Sequence, residues 1–242
     1  VAAARRGGGD MQLTPADQTR IAAAVAAAET RTAGEIYCVV APRASAYREV
    51  PIVWAALLAL ALPPLALLAG LRPRGLDALL GGWTVGHDLA VGQTVLASLA
   101  AYIGLQLAVF LLFLLAMMIP ALHRFATPGP LKTERFRRAA LDQFLSHGLH
   151  HTRDRTGVLI FASMEEHRAE VIADENIYLA APPQVWEEVV ALLVAGLKSG
   201  DLAAGYVAAI EKSGEILAAH VPPCADNPNE LSNRVVVLED PR

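Results

Sequence analysis

The sequence predicts an α/β protein: a layered α/β sandwich with a mixed sheet, interrupted by an inserted two-helix transmembrane hairpin. Three observations predict it. Short, fully apolar runs bounded by turn residues alternate with longer stretches of helical periodicity. Such alternation favours helices layered on a sheet. Two charge-free segments, residues 52–71 and 89–122, lie inside that alternation. Crossing the roughly 30 Å hydrocarbon core takes about 20 helical residues, so each segment is long enough to span.

The elements follow in order. Residues 1–10, rich in Ala, Gly and Arg, read as a disordered tail, and translation could start at Val1 or at Met11. Thr14-Pro15-Ala16-Asp17 opens a helix, with Thr14 as cap, Pro15 in the first turn and Asp17 completing a capping box. Ile21, Val25 and Ala28 continue it to about Thr30, and Gly34 ends it. Residues 35–40 form a buried strand, closed by Pro42. The first part of the soluble domain is therefore residues 11–50, and residues 51–122 are the hairpin. Its spans cover about 52–71, kinked at Pro63-Pro64, and about 95–120.

The second part, residues 123–220, begins with a basic helix from about Lys132 to Leu149, carrying Phe136, Ala140 and Phe144. Residues 157–162 form a second buried strand. A turn at 163–166 leads into a third strand, Arg168 to Asp174, with Ala169, Val171 and Ala173 on one face. Trp186, Val190, Leu193 and Leu197 mark one closing helix. Asp201 caps another, with Leu202, Tyr206, Ile210 and Leu217 inside. Residues 221–242 form a polar tail, in which 235–238 can add an edge strand.

Two crossings return the chain to the side it left. Arg43, Arg48, Arg124, Lys132, Arg135, Arg137 and Arg138 flank the hairpin, against Arg72 and Arg74 in its loop. The positive-inside rule then places both soluble parts in the cytoplasm of a cell whose inner (plasma) membrane holds the hairpin. The spans carry no ionisable group, which argues against a transporter or channel. Gly92, Ala97, Ala100, Ala101 and Gly104 could pack span 2 against itself in a homo-oligomer. The net charge of −4 argues against nucleic acid as the partner, and anionic lipid headgroups account for the basic cluster. Cys38 reads as a buried small hydrophobe, and Cys224 forms no metal motif with it.

Candidate chemistry is sparse. Asp154, Asp174 and Glu175 flank the second and third strands at one end, and could hold a hard cation such as Ca²⁺ or Mg²⁺ for phosphate hydrolysis. A solvated loop edge with Arg153 and Arg155 in salt bridges is the commoner arrangement. Glu165 and Glu166 lie at the opposite end. Glu35 opens an apolar strand and needs a partner, for which Arg155 or Arg168 are candidates. Arg153 and Arg155 could instead contact an anion. His147 and His151 would share a helix face and could bind zinc with His167, although Gly148 interrupts that helix and ordinary hydrogen-bonding histidines are the simpler reading. No HExxH and no phosphate-cradling glycine loop is present.

Residues 139–174, taken with residues 34–40 and the segment Gly200–Tyr206, resemble the TPM domain family. The hairpin after the first strand is similar to a bacterial membrane-protein subgroup of that family. The resemblance implies a Rossmann-like α/β/α fold and a role in assembling or maintaining membrane protein complexes. It also implies acid phosphatase activity and calcium binding for some members, one of them a chloroplast lumen protein implicated in photosystem II repair. Residues 170–177 depart from the glycine-rich stretch many relatives have there.

Overall fold

A computed structural model describes residues 13–69, 90–152, 155–182, 184–223 and 229–240. The expected tail at 1–10, the hairpin loop with Arg72 and Arg74, and Arg153, Asp154 and Cys224 lie outside them. The chain divides into two units: residues 1–46 with 132–242, and residues 47–131.

In the first unit, α1 (Pro15–Glu29) starts where the capping box requires. The Thr14 hydroxyl accepts the Asp17 N–H at 3.2 Å, and the Asp17 carboxylate accepts the Thr14 N–H at 3.0 Å. Two orphan donors of the first turn are thereby satisfied. β1 (Glu35–Ala41) and β2 (Gly157–Ser163) are buried along their whole length. A strand covered on both faces must be apolar on both, which explains the unbroken runs. β3 (Arg168–Ala173) returns antiparallel to β2. β4 (Val236–Val237) pairs parallel to β1. The sheet is four-stranded and mixed, in the order β3-β2-β1-β4.

Alternation along β1 separates two cores. Ile36, Cys38 and Val40 point into the larger one, with Val158, Ile160, Ile21 and Val25. Tyr37, Val39 and Ala41 point into the smaller one, with Phe136, Ala140 and Phe144 of α5 (Gly129–Ser146). Cys38 is a buried free thiol whose pKa burial pushes upward. The helix α5 starts earlier than the pattern of apolar residues indicates and stops at Ser146. Gly148 then takes φ 70°, a left-handed conformation that glycine enters at little cost.

Three later helices complete the unit: α6 (Glu175–Ala180), α7 (Gln184–Ser199) and α8 (Leu202–His220). The short α6 has no counterpart in the sequence reading, because six residues carry too few turns to show a period. Val189 rather than Val190 is fully buried on α7, beside Trp186, Leu193 and Leu197. Leu202, Tyr206, Ile210 and Leu217 are buried on α8 as read. Tyr206 donates its O–H to the Val39 carbonyl at 2.7 Å, which satisfies a phenol with no access to water.

The second unit holds α2 (Glu49–Leu68) and α3 (Ala90–Ala116), which pack on each other, followed by α4 (Pro120–Ala126). Both long helices are long and apolar enough to cross a membrane. They begin earlier than the expected spans. Glu49 opens α2 favourably, since a carboxylate suits a helix N-terminus. α3 ends before Pro120, which disfavours helix in the residue preceding it and starts α4 instead. The Trp54 indole N–H donates to the Ala126 carbonyl at 2.9 Å, fixing the end of α4 to α2. Leu57, Leu60, Leu65, Leu107, Leu111, Leu112 and Leu115 are more than half exposed on these helices.

The tightest backbone approach in the first unit lies between α7 and α8. A Cβ on Gly205 would stand 2.9 Å from the Gly196 Cα, closer than two carbons can sit. Gly205→Ala is therefore expected to force the helices apart and to cost about 1–3 kcal/mol, read as a lowered denaturation midpoint. Gly200→Ala, whose Cβ meets nothing within 4 Å, faces only its φ of 79°.

Candidate functional site

Parallel pairing of β1 and β2 brings two groups of polar residues to opposite ends of the sheet. The register sets Glu35 beside Gly157 and Ala41 beside Ser163.

At the carboxyl ends, Glu166 follows β2 and turns back over it. Its carboxylate accepts the Ser163 O–H, and the Ala44 N–H at 3.2 Å. Arg43, two residues past β1, forks onto Asp240, donating from Nε and Nη2 at 2.5 Å each. That pair raises the Arg43 pKa and holds the Asp240 carboxyl below the usual carboxylate range. The Met164 and Glu165 N–H groups donate to the Ala41 and Pro42 carbonyls at 3.0 and 2.9 Å. Ligands of open α/β sheets bind outside this edge. Here Arg43 and Asp240 are bonded to each other and Glu166 to Ser163 and the Ala44 N–H, so the arrangement ties three chain segments together. The sequence reading placed Glu165 and Glu166 at this end but missed Arg43 and Asp240, whose separation of nearly two hundred positions leaves no local signal.

At the amino ends, two acids share a half-buried space. Glu29, the last residue of α1, accepts the Ile36 N–H at 3.0 Å and the Asn233 side-chain amide at 2.9 Å. Glu35 accepts the N–H groups of Glu230 and Leu231 at 3.5 and 3.4 Å. This corrects the expected partner of Glu35: Arg155 donates to Glu175 at 2.9 Å, and Arg168 donates to Thr133 at 2.7 Å. The tail, invisible to local pattern, occupies the place an arginine was expected to take. Burial, with the Glu35 charge adding to it, pushes the Glu29 pKa up to about 7, and burial raises Glu35 as well.

Asp174 is buried and caps α6 through the Glu175 N–H at 2.7 Å. Its Oδ2 has no hydrogen-bond partner among the described residues. Glu175 is engaged by Arg155 on the surface. A hard cation takes six to eight oxygens. Among the described residues no group of three or more His, Cys, Asp or Glu side chains gathers to hold a metal. One orphan oxygen falls short of a cation site. The third expected carboxylate, Asp154, lies outside the described residues, as does Arg153.

The histidines are dispersed in role. His147 Nε2 faces the Gln143 side-chain oxygen Oε1 at 3.2 Å, which makes Nδ1 the acceptor for the Tyr37 O–H at 3.1 Å. The two rings also touch in a tilted arrangement, centroids 4.8 Å apart and planes 41° from parallel. His167 sits on the β2–β3 turn with φ 49°.

No known family's sequence model matches this chain. No curated protein matches it either. Its fold is similar to that of the BA42 protein from the psychrophilic bacterium Bizionia argentinensis, solved by NMR. That likeness has a TM-score of 0.51 at 18% identity, and covers 93% of this chain and 94% of that one. At such identity it reports the fold alone.

The acid pair makes stability depend on pH. Glu29 binds its proton more tightly folded than unfolded, so its contribution is complete below the unfolded value near 4.5 and is lost as pH rises through about 7. Glu35 acts in the same direction. The urea midpoint is expected to fall between pH 5 and pH 8, and Glu29→Gln is expected to flatten that slope. A wild-type midpoint that rises across this window contradicts the assignment.

Proposed function

We propose that this chain is a membrane-anchored α/β domain of the TPM type, which binds and assists membrane protein complexes rather than catalysing a reaction. In this reading the domain is a Rossmann-like sandwich, and the unit holding α2 and α3 is a transmembrane hairpin inserted after its first strand. The observation that carries it is the outward surface of α2 and α3. Both helices present large aliphatic side chains that stand exposed among the described residues. Leaving such side chains in water forgoes about 1.5–3 kcal/mol each, a cost that lipid removes. Their backbones are satisfied within the helix, which the bilayer demands.

The flanking arginines and lysine favour a cytoplasmic domain at the inner membrane. The small residues of α3 offer a route to self-association within the bilayer. Support for a non-catalytic role comes from the sheet ends, where Arg43, Asp240, Glu166, Arg155 and Glu175 are taken up by one another or by the backbone.

Two measurements test this. After alkaline carbonate extraction the full chain is expected in the membrane pellet, and a reporter fused after Arg242 is expected on the cytoplasmic side. Recovery in the soluble fraction removes the anchor, and a periplasmic signal reverses the orientation. Phosphatase assays with Mg²⁺ or Ca²⁺ are expected to show no activity that Asp154→Asn abolishes. Activity lost in that variant would replace the binding role with metal-dependent phosphate hydrolysis.

A further inference from the structure

A third polar region lies beside the β2–β3 turn, on the outer side of β3. A cavity of about 400 Å³ opens in the first unit between α5 and the β2–β3 hairpin. Thr133 and Arg137 reach it from successive turns of α5, and Arg168 and Glu170 reach it from one face of β3. His167 stands at its rim, on the turn. Phe136 and Val194 supply an apolar wall.

The charges are unequal. Two guanidiniums face one carboxylate, so the cavity is positive at neutral pH. The Arg137 Nε lies 3.8 Å from Glu170, a Coulomb contact longer than a hydrogen bond. Burial raises the Glu170 pKa, against the nearby Arg137 charge, which lowers it. Arg168 has five N–H donors and uses one on the Thr133 hydroxyl, at 2.7 Å. A planar fork, a second guanidinium and a hydroxyl, converging from two elements, suit the several oxygens of a tetrahedral anion. Lys132 and Arg135 on the same helix add to the local positive potential, while the charge of Arg138 is balanced by Glu134.

We propose that this cavity binds a phosphate group, held by Arg168, Thr133 and Arg137. The group comes from the headgroup of an acidic phospholipid or from a soluble phosphate ester. Only the lipid source rests on the membrane-anchored reading. For that source the apolar wall of Phe136 and Val194 takes the glycerol carbons.

Calorimetric titration of the full chain in a neutral detergent tests the site with three probes: inorganic phosphate, sn-glycerol 3-phosphate and a short-chain phosphatidylglycerol. Saturable binding of at least one is expected. It is expected to weaken about tenfold in Arg168→Gln, the loss of one charge-assisted hydrogen bond. Arg137→Gln, at a side chain 78% exposed and so harmless to folding, is expected to weaken it as well. Arg138→Gln, on the same helix but paired with Glu134, is expected to leave it unchanged. Binding of the soluble probes assigns a soluble ester, and binding of the lipid alone assigns a headgroup. No saturable binding of any probe, indifference to both pocket variants, or an equal loss in Arg138→Gln overturns the proposal. The titration needs no bilayer, so its failure is distinct from a failure of the carbonate extraction.

Discussion

The parallel pairing of β1 with β2 is the constraint on which the rest depends. Two parallel neighbours cannot be joined by a tight turn, because the chain must travel back the length of the strand before it can pair again. Here the return takes in residues 42–156, with α2, α3 and α4 on the way and α5 at its end. Closing a long connection costs only slightly more than closing a short one, since the entropy grows with the logarithm of length. The pair is held by seven matched residues, all buried. Apolar contact on both faces offsets the closure cost. Tyr206 adds a buried bond to the Val39 carbonyl at the centre of this frame.

The same pairing decides where charge collects. Because β1 and β2 run in one direction, their amino ends share one edge and their carboxyl ends the other. Each edge then meets the tail. Glu29 and Glu35 receive Asn233 and the Glu230 and Leu231 amides at one edge, and Arg43 receives Asp240 at the other. The short strand β4 lies between these attachments. Two residues of pairing are a weak ladder, and polar bonds at both ends compensate. The acids at the amino edge carry the electrostatic cost, since among the described residues their hydrogen-bond partners are backbone amides and the Asn233 side chain.

Much of this was legible in the residues. The capping box at Thr14 and Asp17, the apolar runs of β1 and β2, and the period of α8 are local patterns, and local patterns survive folding when tertiary contacts agree with them. The two long apolar helices were legible for the same reason, since composition over twenty residues is independent of context. Helix bounds were less so: α3 ended at Ala116, four residues short of the span end expected at about 120, because Pro120 starts a new helix. The partner of Glu35 was misread, because charge complementarity pointed to an arginine while the space was filled by backbone amides of a distant segment. The cavity beside α5 had no sequence signature at all. Its residues come from α5, the β2–β3 hairpin and α7.

The sequence by itself determined the α/β class, the buried strands, the amphipathic helices and the two long apolar segments. Each follows from side-chain periodicity or composition within a short window, which sets the state of a segment before it meets any other. Only the tertiary structure decided the strand order, the tail's place against β1, the bonding of Arg43 to Asp240 and the grouping of Arg137, Arg168 and Thr133 around one cavity. These depend on which segments meet in space, and residues far apart in the chain carry no mark of that meeting until the sheet brings them together.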